Sequence, residues 1–174
     1  MGDTTITVIA IFLAAILMFV FPLMTLSDRS DDVSQLSVQT TTTEFVDNVK
    51  KTGKLTEDNY GKFVEQISAT GNTYDVELKV QILDENLGKK ASTVAMDKIG
   101  ENQYYTMYTT QVLDAMNNSA RALTLKEGDR ISVNVKNTNT TISQQLKNFL
   151  YKVTGNDSYQ ISAEASGLVT VNGK

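Results

Sequence analysis

Adjacent carboxylates are the residues of this sequence with the most obvious capacity for chemistry. Asp31–Asp32 and Asp84–Glu85 are of the type that serves in acid–base catalysis or binds cations. Neighbouring residues in a helix or strand point in different directions, so the two members of each pair do not face one another. No EF-hand spacing surrounds either pair. We therefore interpret both pairs as solvated surface charge.

A nucleophilic enzyme is disfavoured, because the 174-residue chain contains no His and no Cys. These absences exclude a His-based triad, a thiol nucleophile, a thiolate zinc site and a disulfide. A serine would need a lysine or an N-terminal amine as its base, and no Ser-x-x-Lys motif occurs. We predict a protein that is not an enzyme, with no catalytic residues, no cofactor and no metal site.

The charge of the chain argues against a second class of function. There are 16 Lys and Arg against 20 Asp and Glu, which gives a formal net charge of −4. Proteins that bind nucleic acid need a positive field to attract the phosphate backbone. The composition therefore predicts no nucleic-acid partner.

Three tyrosines, Tyr104, Tyr105 and Tyr108, could form a ligand platform or a contact surface. Aromatic residues at helical spacing more often form the core and its rim. Apolar residues recur at helical spacing through this region, which predicts a helix from Gln103 to Asn117. The apolar face of that helix would consist of Tyr105, Tyr108, Val112 and Met116.

One segment is long and apolar enough to cross a membrane. From Ile6 to Leu26, 18 of 21 residues are apolar, and no charged residue occurs from Thr4 to Ser27. A helix needs about 20 apolar residues to cross the hydrocarbon core, so we predict a transmembrane helix in domain 1–27. The residues predicted to form its membrane and assembly surface are Ile6, Ile9, Phe12, Leu13, Ile16, Phe19, Pro22 and Leu23.

Two other interpretations of this segment are weaker. A secretory signal peptide would have a basic residue before the apolar segment and an Ala-x-Ala cleavage site after it. Residues 1–5 contain no Lys or Arg, and the segment ends in the sequence PLMTL. A buried core helix of this apolar character would need a larger protein around it. A retained transmembrane helix is therefore favoured.

Residues 28–174 are predicted to form one head domain outside the cytoplasm. Asp28–Lys51 contains neither Gly nor Pro and has the periodicity of an amphipathic helix continuous with the first. The β-branched run Thr40–Thr43 is a poor helix former, so a flexible Thr/Ser stalk is the alternative. The predicted apolar face consists of Val38, Thr42, Phe45 and Val49.

The rest of the head combines short helices with alternating strands. One helix would be capped by Thr56 and closed by Gly71, and a later one would be capped by Thr140 or Thr141. The later helix is expected to place Ile142, Leu146, Phe149, Leu150 and Val153 on its apolar face. Strands are predicted at Tyr74–Ile82, 131–135 and 159–171, with a short one at Ser92–Met96 after a polar loop, and 121–125 is ambiguous.

Together these elements predict an α+β fold. A long N-terminal transmembrane helix would continue into an amphipathic helix and pack on a small antiparallel or mixed β-sheet head.

This layout, with Pro22 late in an N-terminal apolar helix, resembles type IV pilin-like subunits. The segment Thr43–Val80 (TEFVDNVKKTGKLTEDNYGKFVEQISATGNTYDVELKV) is also similar to pilin-like proteins of Gram-positive bacteria that are associated with Tad (Flp) pilus machinery. The resemblance implies a structural or accessory subunit of a surface filament. Its partners would be membrane lipid, further copies of itself or other pilin-like subunits, and a pilus assembly platform with its ATPase.

The sequence departs from the pilin pattern at its N-terminus. Type IV pilins usually carry a Glu early in the mature helix, whereas Thr5 and Thr7 occupy that neighbourhood here and Asp3 is the only acid near it. Flp major pilins are also far shorter. With these departures, the resemblance implies a minor pilin, a pseudopilin or an anchored accessory protein, and not the main filament subunit. Gly2 followed by Asp3 is where a prepilin-type peptidase would cut, although the usual basic leader residues are absent.

A different class of function is compatible with the same layout. The protein could be a single-pass membrane-anchored extracellular binding module, such as an adhesin or sensor, that does not polymerise. Mutation of Pro22 or a charge at Ile11 should abolish the assembly of a filament subunit. Replacement of the whole anchor by an unrelated transmembrane helix should leave the function of a binding module intact.

Overall fold

The structure is a computed structural model that describes residues 2–83, 104–118, 121–151 and 160–173. The predicted Asp84–Glu85 pair and the predicted strand Ser92–Met96 lie outside the described residues. The helices are α1 (Gly2–Thr52), α2 (Glu57–Ser68), α3 (Thr109–Asn118) and α4 (Ile142–Tyr151). The strands are β1 (Lys54–Thr56), β2 (Tyr74–Leu83), β3 (Tyr104–Tyr108), β4 (Ala122–Thr124), β5 (Arg130–Asn137) and β6 (Ser162–Leu168).

The strands of the described chain form two antiparallel sheets. The larger sheet has the order β3-β2-β5-β6, and β1 pairs with β4 in a two-stranded sheet. The register aligns Leu78, Val133 and Ala165 across three strands. Because side chains alternate between the two faces of a strand, this row faces the core and its neighbours face outward. The α+β prediction is confirmed, and the sheets are antiparallel.

The core lies between the larger sheet and the helices. Helix α1 contributes Val38, Phe45, Val46 and Val49, all of them buried. The rings of Phe45 and Phe63 stack at 4.5 Å and join α1 to α2. The Thr56 hydroxyl caps α2 by accepting a hydrogen bond from the Asn59 amide at 3.1 Å, as predicted.

Helix α1 runs without interruption through its threonine-rich stretch. The hydroxyls of Thr42 and Thr43 donate to the carbonyls of Val38 and Gln39, four residues earlier. Such bonds satisfy the hydroxyls without breaking the helix ladder. With 51 residues, α1 is about 77 Å long at 1.5 Å per residue.

The later half of α1 lies along the outer edge of β6. The side-chain amide of Gln35 donates to the Ser162 carbonyl at 2.6 Å and accepts from the Ser162 amide at 3.0 Å. Further along, the Lys50 carbonyl accepts from the Thr170 amide at 3.2 Å. These contacts are about 22 Å apart on the helix and about 26 Å apart on an extended strand. Helix and strand therefore run side by side in the same direction.

The predicted helix from Gln103 to Asn117 is wrong in its first part. Residues Tyr104–Tyr108 form a strand that pairs with β2, and the helix begins at Thr109. Aromatic and β-branched residues favour a strand when a partner edge is present. Val112 and Met116 are buried on α3 as expected, so the apparent helical face combined residues from two elements.

Two further expectations were also wrong in detail. Ile142 is 63% exposed, whereas Ser143 and Gln144 of the same turn are buried. That turn meets polar residues of α1, as described below, which explains why its polar side chains face inward. The final strand covers Ser162–Leu168 and is shorter than the predicted 159–171.

A candidate membrane-spanning helix and its junction with the head

The first half of α1 is an apolar helix that the rest of the described chain does not cover. The predicted membrane and assembly residues all lie on it and are exposed, from Ile16 at 42% to Phe19 at 75%. Exposed apolar residues occur on every side of this half, Ile11 at 65% and Met18 at 74% among them. The structure therefore does not separate the predicted eight residues from their neighbours on α1.

The dimensions of this half match a lipid bilayer. The 24 residues from Thr4 to Ser27 carry no charge and form a rod of about 36 Å, against a hydrocarbon core of about 30 Å. An 18-residue stretch of the helix has a mean hydropathy of 2.8, and none of it is buried. By length and composition, α1 is a candidate membrane-spanning helix.

The polar groups inside the segment are satisfied locally. The Thr7 hydroxyl donates to the Asp3 carbonyl at 2.7 Å, and the Thr25 hydroxyl donates to the Phe21 carbonyl at 3.1 Å. Pro22 lies inside the helix and has no N–H to donate to the preceding turn. Hydroxyl bonds to helix carbonyls are the arrangement that hydrocarbon tolerates, because water is absent there.

The suggested processing residues lie at the start of the same helix. Gly2 is the first residue of α1, and Asp3 follows it in the first turn. Both are exposed. An acidic side chain in the first turn interacts favourably with the positive end of the helix dipole.

A cluster of polar contacts joins α1 to α4 just beyond the apolar segment. Lys147 Nζ lies 2.6 Å from Asp28 Oδ1, and the Ser143 hydroxyl donates to the same oxygen. The Thr141 hydroxyl donates to Asp31 Oδ2 at 2.7 Å. The hydrogen bonds from Lys147 and then from Ser143 hold the pKa of Asp28 below its ordinary value.

The N-terminus of α4 is locked by a reciprocal cap. The Thr141 hydroxyl accepts from the Gln144 amide at 3.2 Å, and Gln144 Oε1 accepts from the Thr141 amide at 3.1 Å. This is the capping-box arrangement, which satisfies two amides of the first turn. It fixes Thr141 and Ser143 in position to meet Asp28 and Asp31.

The interpretation of Asp31–Asp32 as solvated charge is therefore wrong for Asp31, which is partly buried and hydrogen-bonded, whereas Asp32 is exposed. The contact of Asp28 with α4 was not predicted. A signal was present, because Asp28 and Asp31 are three apart and share a helix face. Their partners are more than 100 residues away, so the spacing alone could not identify them.

A groove of about 500 Å³, lined by both apolar and polar groups, opens on the outer face of the larger sheet. Glu77, Asn134 and Glu164 are aligned across β2, β5 and β6, and the Asn134 amide donates to Glu77 Oε2 at 3.0 Å. The exposed ring of Tyr108 forms part of the wall, with Lys79 beside it in the register. Within the described ranges, no group of three or more His, Cys, Asp or Glu could hold a metal ion.

Comparison of the chain with protein-family models, with curated proteins and with solved structures gave no match.

Proposed function

We propose that this chain is a structural or accessory subunit of a type IV- or Tad-like surface filament and has no catalytic activity. The observation that carries the proposal is the contrast within α1. Residues 6–26 are apolar and almost wholly exposed, whereas Val38 and Val49 of the same helix are fully buried in the head. One continuous helix thus joins an uncovered apolar rod to a folded domain.

The uncovered half of α1 has the properties of a membrane anchor, which is its proposed role before assembly. Its length exceeds the hydrocarbon core, and helical hydrogen bonds pair its backbone groups except at Pro22, which is close to the condition for crossing lipid. Lipid is then its first partner. The head, acidic overall and without Cys, is proposed to lie outside the cytoplasm.

The same rod suits packing between subunits. Apolar residues surround its whole circumference, so neighbouring α1 helices could contact it from several directions at once. Helices that leave lipid for a protein environment gain chiefly van der Waals contacts, since both surroundings are equally apolar. The partners proposed are further copies of this chain or other pilin-like subunits, with an assembly platform and ATPase to move them.

Removal of residues 1–2 before assembly is part of this proposal. A cut after Gly2 would leave Asp3 as the first residue and α1 otherwise intact. The first-turn carboxylate would then lie next to the new amine.

The experiment that tests the filament proposal combines microscopy with protein chemistry. Surface filaments would be sheared from cells that express the chain, imaged by electron microscopy and digested for mass spectrometry. We expect the chain within the filaments and an N-terminus at Asp3. Dispersed membrane monomers that begin at Met1 would contradict the proposal.

The groove on the outer sheet face supports the second candidate, an anchored binding module. It combines an exposed aromatic ring with amide and carboxylate groups, a mixture that suits recognition of a polar ligand. Replacing residues 1–27 with an unrelated transmembrane helix separates the candidates. Surface binding would survive in a binding module, whereas incorporation into filaments would be lost in a pilin-like subunit.

A further inference from the structure

The two edges of the larger sheet are treated differently in this fold. The β6 edge lies against α1, and Gln35 satisfies both backbone groups of Ser162 there. The β3 edge, Tyr104–Tyr108, is the other end of the strand order. It contains no charged residue and no proline, which are the usual devices that prevent an edge from pairing.

The hydrogen bonds determine which groups of β3 point outward. The Tyr108 amide donates to Gln111 Oε1 at 3.0 Å and so faces away from β2. On β2, the Leu78 amide donates to the Thr109 hydroxyl on the β3 side, and the Leu83 amide donates to Asp129 on the β5 side. The alternation of an antiparallel ladder then points the N–H and C=O of Tyr104 and Thr106 outward. Within the described ranges, no backbone partner meets these outward groups.

The sequence of β3, YYTMY, is nearly symmetrical about Thr106. If a second copy paired antiparallel about that residue, Thr106 would lie opposite itself and Tyr104 opposite Tyr108. Tyr105 would lie opposite Met107. Tyrosine–tyrosine and threonine–threonine pairs across strands are favourable, as is a methionine sulfur beside an aromatic ring. No pair on the strand brings like charges together.

Exposure supports the same arrangement. Tyr105 and Tyr108 are 55% and 60% exposed, although both lie on β3 of the larger sheet. Met107 is partly buried against the core. In the antiparallel pair, the exposed ring of Tyr105 would cover Met107 of the second copy, and the Tyr108 ring would meet Tyr104. The guanidinium carbon of Arg130 lies over the Tyr104 ring, 4.9 Å from the ring centroid.

We propose that β3 is a homotypic docking edge that pairs antiparallel with β3 of a second copy, centred on Thr106, and so joins two sheets into one of eight strands. This goes beyond the proposed filament role.

Strand β3 runs antiparallel to β6, and β6 runs parallel to α1. An antiparallel pair of β3 strands therefore places the two α1 helices in opposite directions. Such pairing occurs between chains of opposite polarity, as in two filaments side by side or two facing membranes. Neighbours within one polar filament cannot form it.

Cysteine crosslinking of the full chain in detergent micelles tests this register. The native chain has no Cys, so Tyr105→Cys and Met107→Cys each introduce one thiol. Opposite residues of a non-hydrogen-bonded pair have Cα atoms about 4.5 Å apart, which a disulfide can bridge. We expect oxidised dimer to increase severalfold when the two variants are mixed, compared with either variant alone. The control Ser166→Cys, on the edge beside α1, should not form dimer.

Three results would overturn the proposal. Equal dimer from Tyr105→Cys alone would indicate parallel pairing or an antiparallel register centred on Tyr105, and no dimer in the mixture would show that the edge does not pair. The third is an unchanged crosslink after Thr106→Pro is added to both cysteine variants. This substitution removes an outward N–H that the fold does not use, so we expect the crosslink to be lost while the melting temperature is kept. Should proline disturb folding, Thr106→Lys supplies the same test by adding a charge to the edge.

Discussion

Lys147 Nζ lies 2.6 Å from Asp28 Oδ1, in the first turn of α1 after its uncharged segment. The pair therefore ties α4 to the point where the helix leaves the proposed membrane. The aspartate side chain is 36% exposed and the lysine 22%, so solvent screens part of their attraction.

Substitution Asp28→Asn should destabilise the head in a pH-dependent way. Because the folded-state pKa of Asp28 is lowered from 3.8, its carboxylate stabilises the fold fully above that pH. The contribution is lost as the pH falls through the lowered value. We expect the substitution to lower the free energy of unfolding by about 1 kcal/mol at pH 7. This difference should shrink below pH ~3.8. Denaturant unfolding from pH 7 to pH 2 measures it, with Asp32→Asn as the exposed control. A difference that does not change with pH would contradict the assignment.

Substitution Gln35→Ala should expose the β6 edge at Ser162. Two hydrogen bonds are lost at once, and because the site is partly exposed, water replaces them in part. We expect a cost of about 1 kcal/mol and faster hydrogen exchange at the Ser162 amide. Exchange measured by NMR or mass spectrometry checks this. The matched variant Gln39→Ala, at an exposed position one turn later, should leave the exchange of the Ser162 amide unchanged.

Two glycines should respond to alanine in opposite directions. Gly53 ends α1 with φ of +64°, and a Cβ there would lie 2.5 Å from the Gly173 amide nitrogen. Gly53→Ala should therefore cost at least about 2 kcal/mol. Gly61 lies within α2 with nothing within 4 Å of an added Cβ, so Gly61→Ala should stabilise by about 0.5–1 kcal/mol. Thermal unfolding of both variants tests the contrast, which equal effects would contradict.

A charge in the exposed half of α1 should weaken membrane anchoring. Aspartate near the centre of a spanning helix costs about 3 kcal/mol, so Ile11→Asp should release much of the protein during alkaline extraction of membranes. Val33→Asp, at a position of similar exposure beyond the uncharged segment, should remain with the membrane. Equal retention of the two variants would argue against a span at residues 6–26.

The strands were the most predictable part of the fold. Tyr74–Ile82 and 131–135 alternate because one face of the sheet packs on the core and the other meets water, and the burial of Leu78, Val80 and Val133 follows that rule. The strand at Tyr104–Tyr108 was missed because its tyrosines happen to continue the helical spacing of Val112 and Met116. A pairing partner decides such cases, and a sequence does not display it.

The junction between α1 and the head could not be predicted from the sequence. Gln35 meets Ser162 across 127 residues of chain, and Asp28 meets Ser143 across 115. Contacts of this kind depend on how the sheet and helices are assembled, whereas periodicity reports only local geometry. The exposed apolar segment could be predicted, because it is a helix that the rest of the described chain does not cover.

The side-by-side course of α1 and β6 has a mechanical consequence. Tension applied along α1 would be transmitted to the head across a seam about 22 Å long, from Gln35 beside Ser162 to Lys50 beside Thr170. Because helix and strand are parallel, the pull acts along the seam and stretches its contacts together in shear. A helix attached at one end only would be peeled away one contact at a time. Under tension along α1, these contacts would therefore share the load.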